Sequence, residues 1–308
     1  MPTSPSLPLP ARDAILDWYA ECGRPLAFRR TRDPYAILVS EAMAQQTQVA
    51  RAAEYWERFI ERFPTVQALA KATPADVLRA WQGLGYDRRA LALWRAARIV
   101  VDQHDGQVPS TVAELEALPG IGPYTARAVA ALAFGVPVGA VDVNVRRVLG
   151  RIVAGDDAAL SATDIQRVAD ASVPADRPGP WTHALMDVGA TLCRPRAPRC
   201  KSCPARPWCQ FTSKVPPESA VSAGSVPSRP ARKPSAPFPH TNRWLRGRIL
   251  DRLRAAPGAE WVSLAGAIGT HDESRVRAAA MAMAADGVLE VAHPDDAGAR
   301  LRARLPLG

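Results

Sequence analysis

No run of about eighteen apolar residues occurs in this chain, so nothing in it is expected to span a bilayer. The N-terminus, MPTSPSLPLPARD, lacks the basic start and the apolar stretch of a secretory signal. A cytoplasmic location follows as the expectation. Cysteine is scarce, with five in all, and four of them crowd into Cys193–Cys209. In an intracellular chain that density favours a metal centre over disulfides. Cys22 stands alone and reads as a small buried hydrophobe. Strand-like alternation is missing before residue 210, which makes the larger part of the chain an all-α unit.

Positive charge is plentiful. The 308 residues carry a net charge of +9, chiefly from arginine, which suits an anionic partner such as nucleic acid. Residues 1–10 are rich in Pro and Ser and read as disordered. Helices are expected over 11–22, 34–49, 51–63, on either side of Gly83-Leu84-Gly85, and over 161–172 and 181–192. Residues 212–240 are a Pro/Ser/Ala-rich linker that cannot bury enough apolar surface to fold. After it, 241–257 is a basic amphipathic helix with Leu245, Ile249, Leu250 and Leu253 on one face. Residues 261–268 and 274–285 suggest two more helices, and GVLEVAHPDDAGARLRARLP suggests two strands about a turn. The pattern over 241–308 is winged-helix-like; a small helical packing module is the alternative.

The most informative stretch is 111–144. Val112, Leu115 and Leu118 mark a short amphipathic helix, Pro119-Gly120-Ile121-Gly122 a tight hairpin, and Ala126, Val129, Ala130 and Ala133 a second helix. Gly120 and Gly122 before a helix start suggest positive φ or a close backbone approach, and amides at such a terminus bind anions such as phosphate. Asp142 follows Tyr124 by eighteen residues and precedes Asn144 and the basic run Val145–Arg151. The hairpin with its trailing aspartate resembles the helix-hairpin-helix element (111–134) of the DNA glycosylases related to endonuclease III.

Cys193, Cys200, Cys203 and Cys209 are spaced C-x6-C-x2-C-x5-C, compatible with a [4Fe–4S] cluster or a four-cysteine zinc site. The spacing is similar to the iron–sulfur loop of endonuclease III and MutY-type glycosylases, and favours the cluster. Arg194, Arg196, Arg199 and Lys201 interleave the ligands as phosphate contacts or as solvated charges. In the N-terminal half, Glu41 stands among apolar residues in VSEAMAQQTQV. Burial would raise its pKa and keep a proton on it near neutrality, as a general acid requires; a surface glutamate is the plainer reading. The run resembles the MLQQTQV signature of MutY-type adenine glycosylases.

That resemblance covers residues 12–210 and implies a two-lobed helical glycosylase domain over 11–192 with an iron–sulfur loop at 193–211. It implies a monomeric, monofunctional enzyme that removes adenine mispaired with 8-oxoguanine or guanine in duplex DNA. Glu41 would protonate the flipped adenine and Asp142 would stabilise the sugar cation, with Asn144 orienting Asp142 or water. From the residues alone, Asn144 reads equally as a helix cap. Tyr124 takes the place of the Schiff-base lysine of bifunctional relatives and would line the adenine pocket, a plain core tyrosine being the lesser alternative. Tyr86 would wedge into the stack, Gln45 fill the vacated space, and Gln46, Thr47 and the Leu84 backbone face the opposite base. Arg29 is retained from the family's LPWR, but Phe28 replaces its tryptophan. Ala44, Asp87 and Val143 also depart from the pattern, and His183 stands where Gln or Glu is usual. Residues 241–308 do not resemble the Nudix-like reader of many such enzymes. A thymine or uracil mismatch glycosylase remains an alternative, and a non-catalytic DNA-binding protein a second.

Overall fold

The computed structural model describes residues 6–214, 237–292 and 300–308. Most of the expected linker, 212–240, and the turn of the expected C-terminal hairpin lie outside the described residues. Helices dominate: α1 (Leu9–Cys22), α2 (Pro34–Ala44), α3 (Val49–Arg62), α4 (Val66–Lys71), α5 (Pro74–Ala80), α6 (Arg88–Gln103), α7 (Val112–Glu116), α8 (Pro123–Phe134), α9 (Val143–Ala154), α10 (Ala162–Ser172), α11 (Pro178–Asp187), α12 (Gln210–Lys214), α13 (Asn242–Ala255) and α14 (Glu273–Ala285). None of them, among the described residues, is long and apolar enough to cross a membrane. The chain divides into two compact units, one from residues 1–41 and 108–228, the other from 42–107 and 229–308.

The first unit is organised by α9. Its Val145, Val148, Leu149 and Ile152 recur at helical spacing and face Ile15 and Leu16 of α1, Ile165 and Val168 of α10, and Trp181 and Leu185 of α11. Leu7 is fully buried in the same core, and its amide donates to Ser172 Oγ at 3.0 Å. The expectation of disorder is therefore corrected for residues 6–10, where one leucine with a closed socket outweighs the Pro/Ser composition; residues 1–5 lie outside the described residues. The hairpin forms as the sequence predicts. Thr111 caps α7, Leu115, Leu118 and Ile121 are buried, and α8 starts at Pro123 after Gly122. Cys22 ends α1 exposed and is not the buried hydrophobe expected of it.

In the second unit, Phe59 packs edge-on against Phe63 and Trp81, with ring centroids 5.0 and 5.8 Å apart. The C-terminal residues join this unit. Beyond α13, strand β1 (Val262–Ser263) pairs antiparallel with β3 (Arg302–Arg304), which also pairs with β2 (Glu290–Val291), in the order β1-β3-β2. The helix expected over 261–268 does not form. Gly266 and Gly269 hold φ of 84° and 60°, outside any right-handed helix, and Val262 pairs with Ala303. Helix, strand, helix and two strands remain, a winged-helix-like order without its middle helix.

The C-terminal residues dock on α5. The Ala75 amide donates to the Pro306 carbonyl at 3.0 Å, the Arg79 guanidinium reaches the carbonyls of Ala256 and Gly258, and Arg254 Nε donates to the Leu78 carbonyl at 3.1 Å.

Candidate active site

Helix α2 buries nearly every residue from Tyr35 to Met43, so Glu41 has little choice of surroundings and is 7% exposed. Burial pushes its pKa up to about 7. A hydrogen bond from Tyr124 pulls the other way, the negative charge of Asp142 adds to the rise, and Arg29 opposes it. Tyr124 lies in the first turn of α8. Burial and the charges of Glu41 and Asp142 hold its phenol well above the usual range, so it remains a donor. Its hydroxyl also stands 3.7 Å from Met186 Sδ.

Asp142 is the N-cap of α9. Its Oδ1 accepts from the Asn144 and Val145 amides at 2.9 and 2.7 Å, and its Oδ2 from Asn144 Nδ2 at 2.9 Å. The cap is thus Asp142, and Asn144 serves it. Val143 takes the first helical position with its side chain 76% exposed, a place that makes no demand for glycine.

Sequence reading assigned no role to Arg147, which the structure puts at the centre of this arrangement. Its guanidinium donates to Asn144 Oδ1 at 2.9 Å, to the Gly189 carbonyl at 2.7 Å and to the Cys193 carbonyl at 2.6 Å. One buried arginine therefore joins the Asp142 support to the cysteine loop. A Cβ on Gly189 would sit 2.7 Å from Asn144 Cβ, so the helical turn that follows α11 (Val188–Leu192) approaches α9 this closely only through glycine. The available signal was the placement of Arg147 next to Val148 on the apolar spacing of α9.

Arg29 closes the other side. Asp187, fully buried, accepts from both its terminal nitrogens at 2.7 and 2.8 Å, and from the Arg24 amide at 2.8 Å and Arg24 Nε at 2.7 Å. Burial alone would raise the Asp187 pKa, but the hydrogen bonds from Arg29 and Arg24 hold it below the usual carboxylate range. Asp187 was also not foreseen. His183, one turn earlier on α11, is no surface residue: with Phe28, Arg29, Tyr19, Ile37 and Ser40 it lines a cleft of about 170 Å³. Burial, reinforced by the nearby Arg29 charge, pushes its pKa down to about 3, so the imidazole is neutral.

The remaining expected contacts belong to the second unit. After α2, Gln46 takes a positive φ of 54°, and Tyr86 does the same at 52° after Gly83 and Gly85. Such backbone costs about 1–3 kcal/mol for a residue with a side chain. Arg89, a further residue that sequence reading passed over, clasps the two turns. It donates to the carbonyls of Ala42 and Gln45, to Thr47 Oγ1 at 3.1 Å and to the Gly85 carbonyl at 3.2 Å. Leu84 is buried, while Tyr86 is 45% exposed. Within the first unit, Gly120 needs its φ of 78°, whereas Gly122 has extended backbone and open space where a Cβ would stand.

Cys193, Cys200, Cys203 and Cys209 line one cavity with Val148, Ile152, Val188, Leu192 and Phe211. Burial first, then their mutual proximity, raises the thiol pKa of Cys200 and pushes that of Cys203 to about 12. Arg151 points a guanidinium nitrogen at Cys193 Sγ, 3.7 Å away. No group of three His, Cys, Asp or Glu side chains is gathered for a single metal ion among the described residues.

Residues 39–169 match the profile of the HhH-GPD superfamily of base excision DNA repair proteins. The chain is 45% identical over 243 residues to an adenine DNA glycosylase of Mycolicibacterium smegmatis, covering 78% of this chain and 79% of the relative. It is 42% identical over 246 residues to an adenine DNA glycosylase of Mycobacterium tuberculosis, covering 79% and 78%. Among solved structures, a thermostable thymine-DNA glycosylase superposes with a TM-score of 0.63 at 29% identity, over 66% of this chain and 95% of that one.

Proposed function

Because this chain belongs to the adenine DNA glycosylase family, within the HhH-GPD superfamily of base excision repair proteins, we propose that it removes adenine mispaired with 8-oxoguanine or guanine from duplex DNA. The observation that carries the reading is Glu41: a carboxyl with a pKa raised to about 7, beside Tyr124 and Asp142, is poised to deliver a proton at neutral pH. Glu41 protonates N7 of the flipped adenine. The bond from C1′ to the base breaks, its electrons leave with the base, and the sugar becomes an oxocarbenium ion. Asp142, held by two amides and Asn144, supplies the opposing negative charge. Water then attacks C1′ and gives its proton to the Glu41 carboxylate. Tyr124 offers a hydroxyl where bifunctional relatives carry an amine, so the strand is left uncut at an abasic site.

Removal requires the base out of the stack. The exposed ring of Tyr86 on its strained turn suits a wedge, and Gln45, Gln46, Thr47 and the Leu84 backbone suit the gap and the opposite base. Gly122, with open space where a Cβ would stand, suits close approach of a phosphate to the start of α8. His183 and Arg29 supply polar edges to the base pocket. The four cysteines suit a [4Fe–4S] cluster: they line one apolar-walled cavity, and Arg151 already faces one sulfur. When bound, such a cluster would cross-link the loop that Arg147 ties to Asn144 through the Cys193 carbonyl. The protein acts on DNA as a monomer.

Single-turnover excision on duplexes carrying A opposite 8-oxoguanine, A opposite G, T opposite G and U opposite G, followed by alkali, tests the reading. Breaks at adenine alone, and only after alkali, are expected. Breaks at T or U would assign the cleft with Phe28 and His183 to a pyrimidine, in line with the thymine-DNA glycosylase neighbour. No break on any duplex would leave a DNA-binding protein.

A further inference from the structure

Helix α13 runs past the Gly83–Asp87 turn, within the same compact unit. Arg254, near its end, is 7% exposed and pairs with Asp87 at 2.5 Å. Arg243, in its first turn, lies over the Tyr86 ring at 5.0 Å, and its Nη2 stands 3.8 Å from where a Cβ on Gly85 would be. Arg89 approaches the same ring at 5.3 Å. The C-terminal residues thus brace the turn at one end and add a second cation to its exposed aromatic.

Of the five arginines of α13, three are paired with carboxylates, and of Arg243 and Arg252 only Arg243 lies on an aromatic ring among the described residues. Arg246 pairs with Asp286 at 2.8 Å, Arg248 with Asp251, and Arg254 with Asp87. Arg243 is exposed, and no carboxylate or carbonyl accepts from it among the described residues. A guanidinium whose face rests on an aromatic ring keeps its N–H edge free, and that edge matches two oxygens of a phosphodiester. Stacking also limits the rotamers open to the side chain, so less freedom is lost when the phosphate arrives.

We propose that the C-terminal domain is part of the DNA-binding surface, with Arg243 placed against Tyr86 to engage a backbone phosphate beside the flipped nucleotide. This rests on the assignment of Tyr86 as the wedge. It gives the C-terminal domain a task that does not depend on a Nudix-like reader: it extends the wedge turn with a phosphate contact.

The test is equilibrium binding of the full chain to two duplexes of one sequence, fully paired and with A opposite 8-oxoguanine, across a range of salt. Arg243→Ala should weaken binding to the mispaired duplex about tenfold and lower the salt slope by about one ion. Arg243→Lys should keep the slope, because the charge remains. Arg252→Ala is the control: nine residues on, about two and a half turns, it lies on the opposite face of α13. An unchanged slope in Arg243→Ala, or an equal loss in Arg252→Ala, would overturn the proposal. Excision by the parent chain on the mispaired duplex is scored separately. A parent that binds through Arg243 yet excises nothing would refute the enzymatic reading and leave the phosphate contact standing.

Discussion

Glu41 is 7% exposed and Tyr86 45%, and the regions around them handle polar groups in opposite ways. About Glu41 the charged and polar groups are buried or half-buried and met by partners: Arg29 and Arg24 by Asp187, Asp142 by amides and Asn144, Asn144 by Arg147. About Tyr86 the backbone is held in conformations that side chains resist, and cations are left standing on an aromatic ring. Desolvation tunes protonation in the first region. Exposure prepares the second for a charged partner. A reaction that needs a proton at neutral pH calls for the first kind of construction, and a grip on a polyanion for the second.

The largest expected effect breaks the first region alone. Glu41→Gln keeps the side chain's shape and removes the acid, so single-turnover excision should fall roughly 10²–10⁴-fold, with duplex binding retained. A variant within about tenfold of the parent would end the case for Glu41 as the acid. Next, Asp187→Asn leaves Arg24 and Arg29 facing a neutral amide in a buried place. Urea unfolding should register a loss of about 3–5 kcal/mol. Breaking the exposed Arg58–Glu54 pair of the second unit should cost little, since both side chains are more than half exposed.

A third effect concerns pH. Glu41 ionises near 4.5 in an unfolded chain and near 7 in the folded one. Below 4.5 both states hold the proton, and stability is unaffected by this group. As pH rises from there toward 7 the unfolded chain releases its proton first, so the parent loses stability until the folded carboxyl ionises too. Glu41→Gln escapes that loss. Its stability relative to the parent should grow by on the order of 3 kcal/mol between pH 4 and pH 8. Excision should fall over the same upper limb, about tenfold per pH unit above 7 if the proton on Glu41 is required. His183, neutral down to about pH 3, should not shape that profile. The smallest effect sharpens the second region: Thr47→Ala removes one Arg89 hydrogen bond and should lower stability by about 0.5–1.5 kcal/mol in thermal unfolding.

Several parts of this picture were legible in the chain itself. The apolar spacing of α9, the threonine before α7 and the two glycines of the hairpin are local signals, each satisfied within a few residues. Glu41 could be singled out because a carboxylate within VSEAMA has apolar neighbours on every side of a helix. The failures were also local in origin. Trp261–Ile268 has helix-like apolar spacing, but Gly266 and Gly269 turn the backbone the other way and β3 claims Val262. Leu7 looked like part of a disordered tail because its socket, near Ser172, is more than a hundred residues distant in sequence. Arg147, Asp187 and Arg89 escaped notice for the same reason: each is defined by partners from other segments, and an isolated Arg or Asp carries no mark of them.

The sequence by itself determined which groups this protein has to work with: a glutamate in an apolar helix, an aspartate behind a glycine hairpin, a tyrosine at the start of the hairpin's second helix, and four spaced cysteines. These are properties of covalent order and short-range periodicity. Only the tertiary structure decided what state those groups are in. The pKa of Glu41 depends on how completely α2 is enclosed, on a hydrogen bond from α8 and on charges that arrive from α9 and the Arg29 turn. Asp142 is held by the amides that start α9 and by Asn144, which Arg147 fixes, and of the C-terminal arginines Arg246 and Arg254 are paired by carboxylates of other elements. Solvation and charge pairing are set by distances in space, and nothing in a linear chain states those distances.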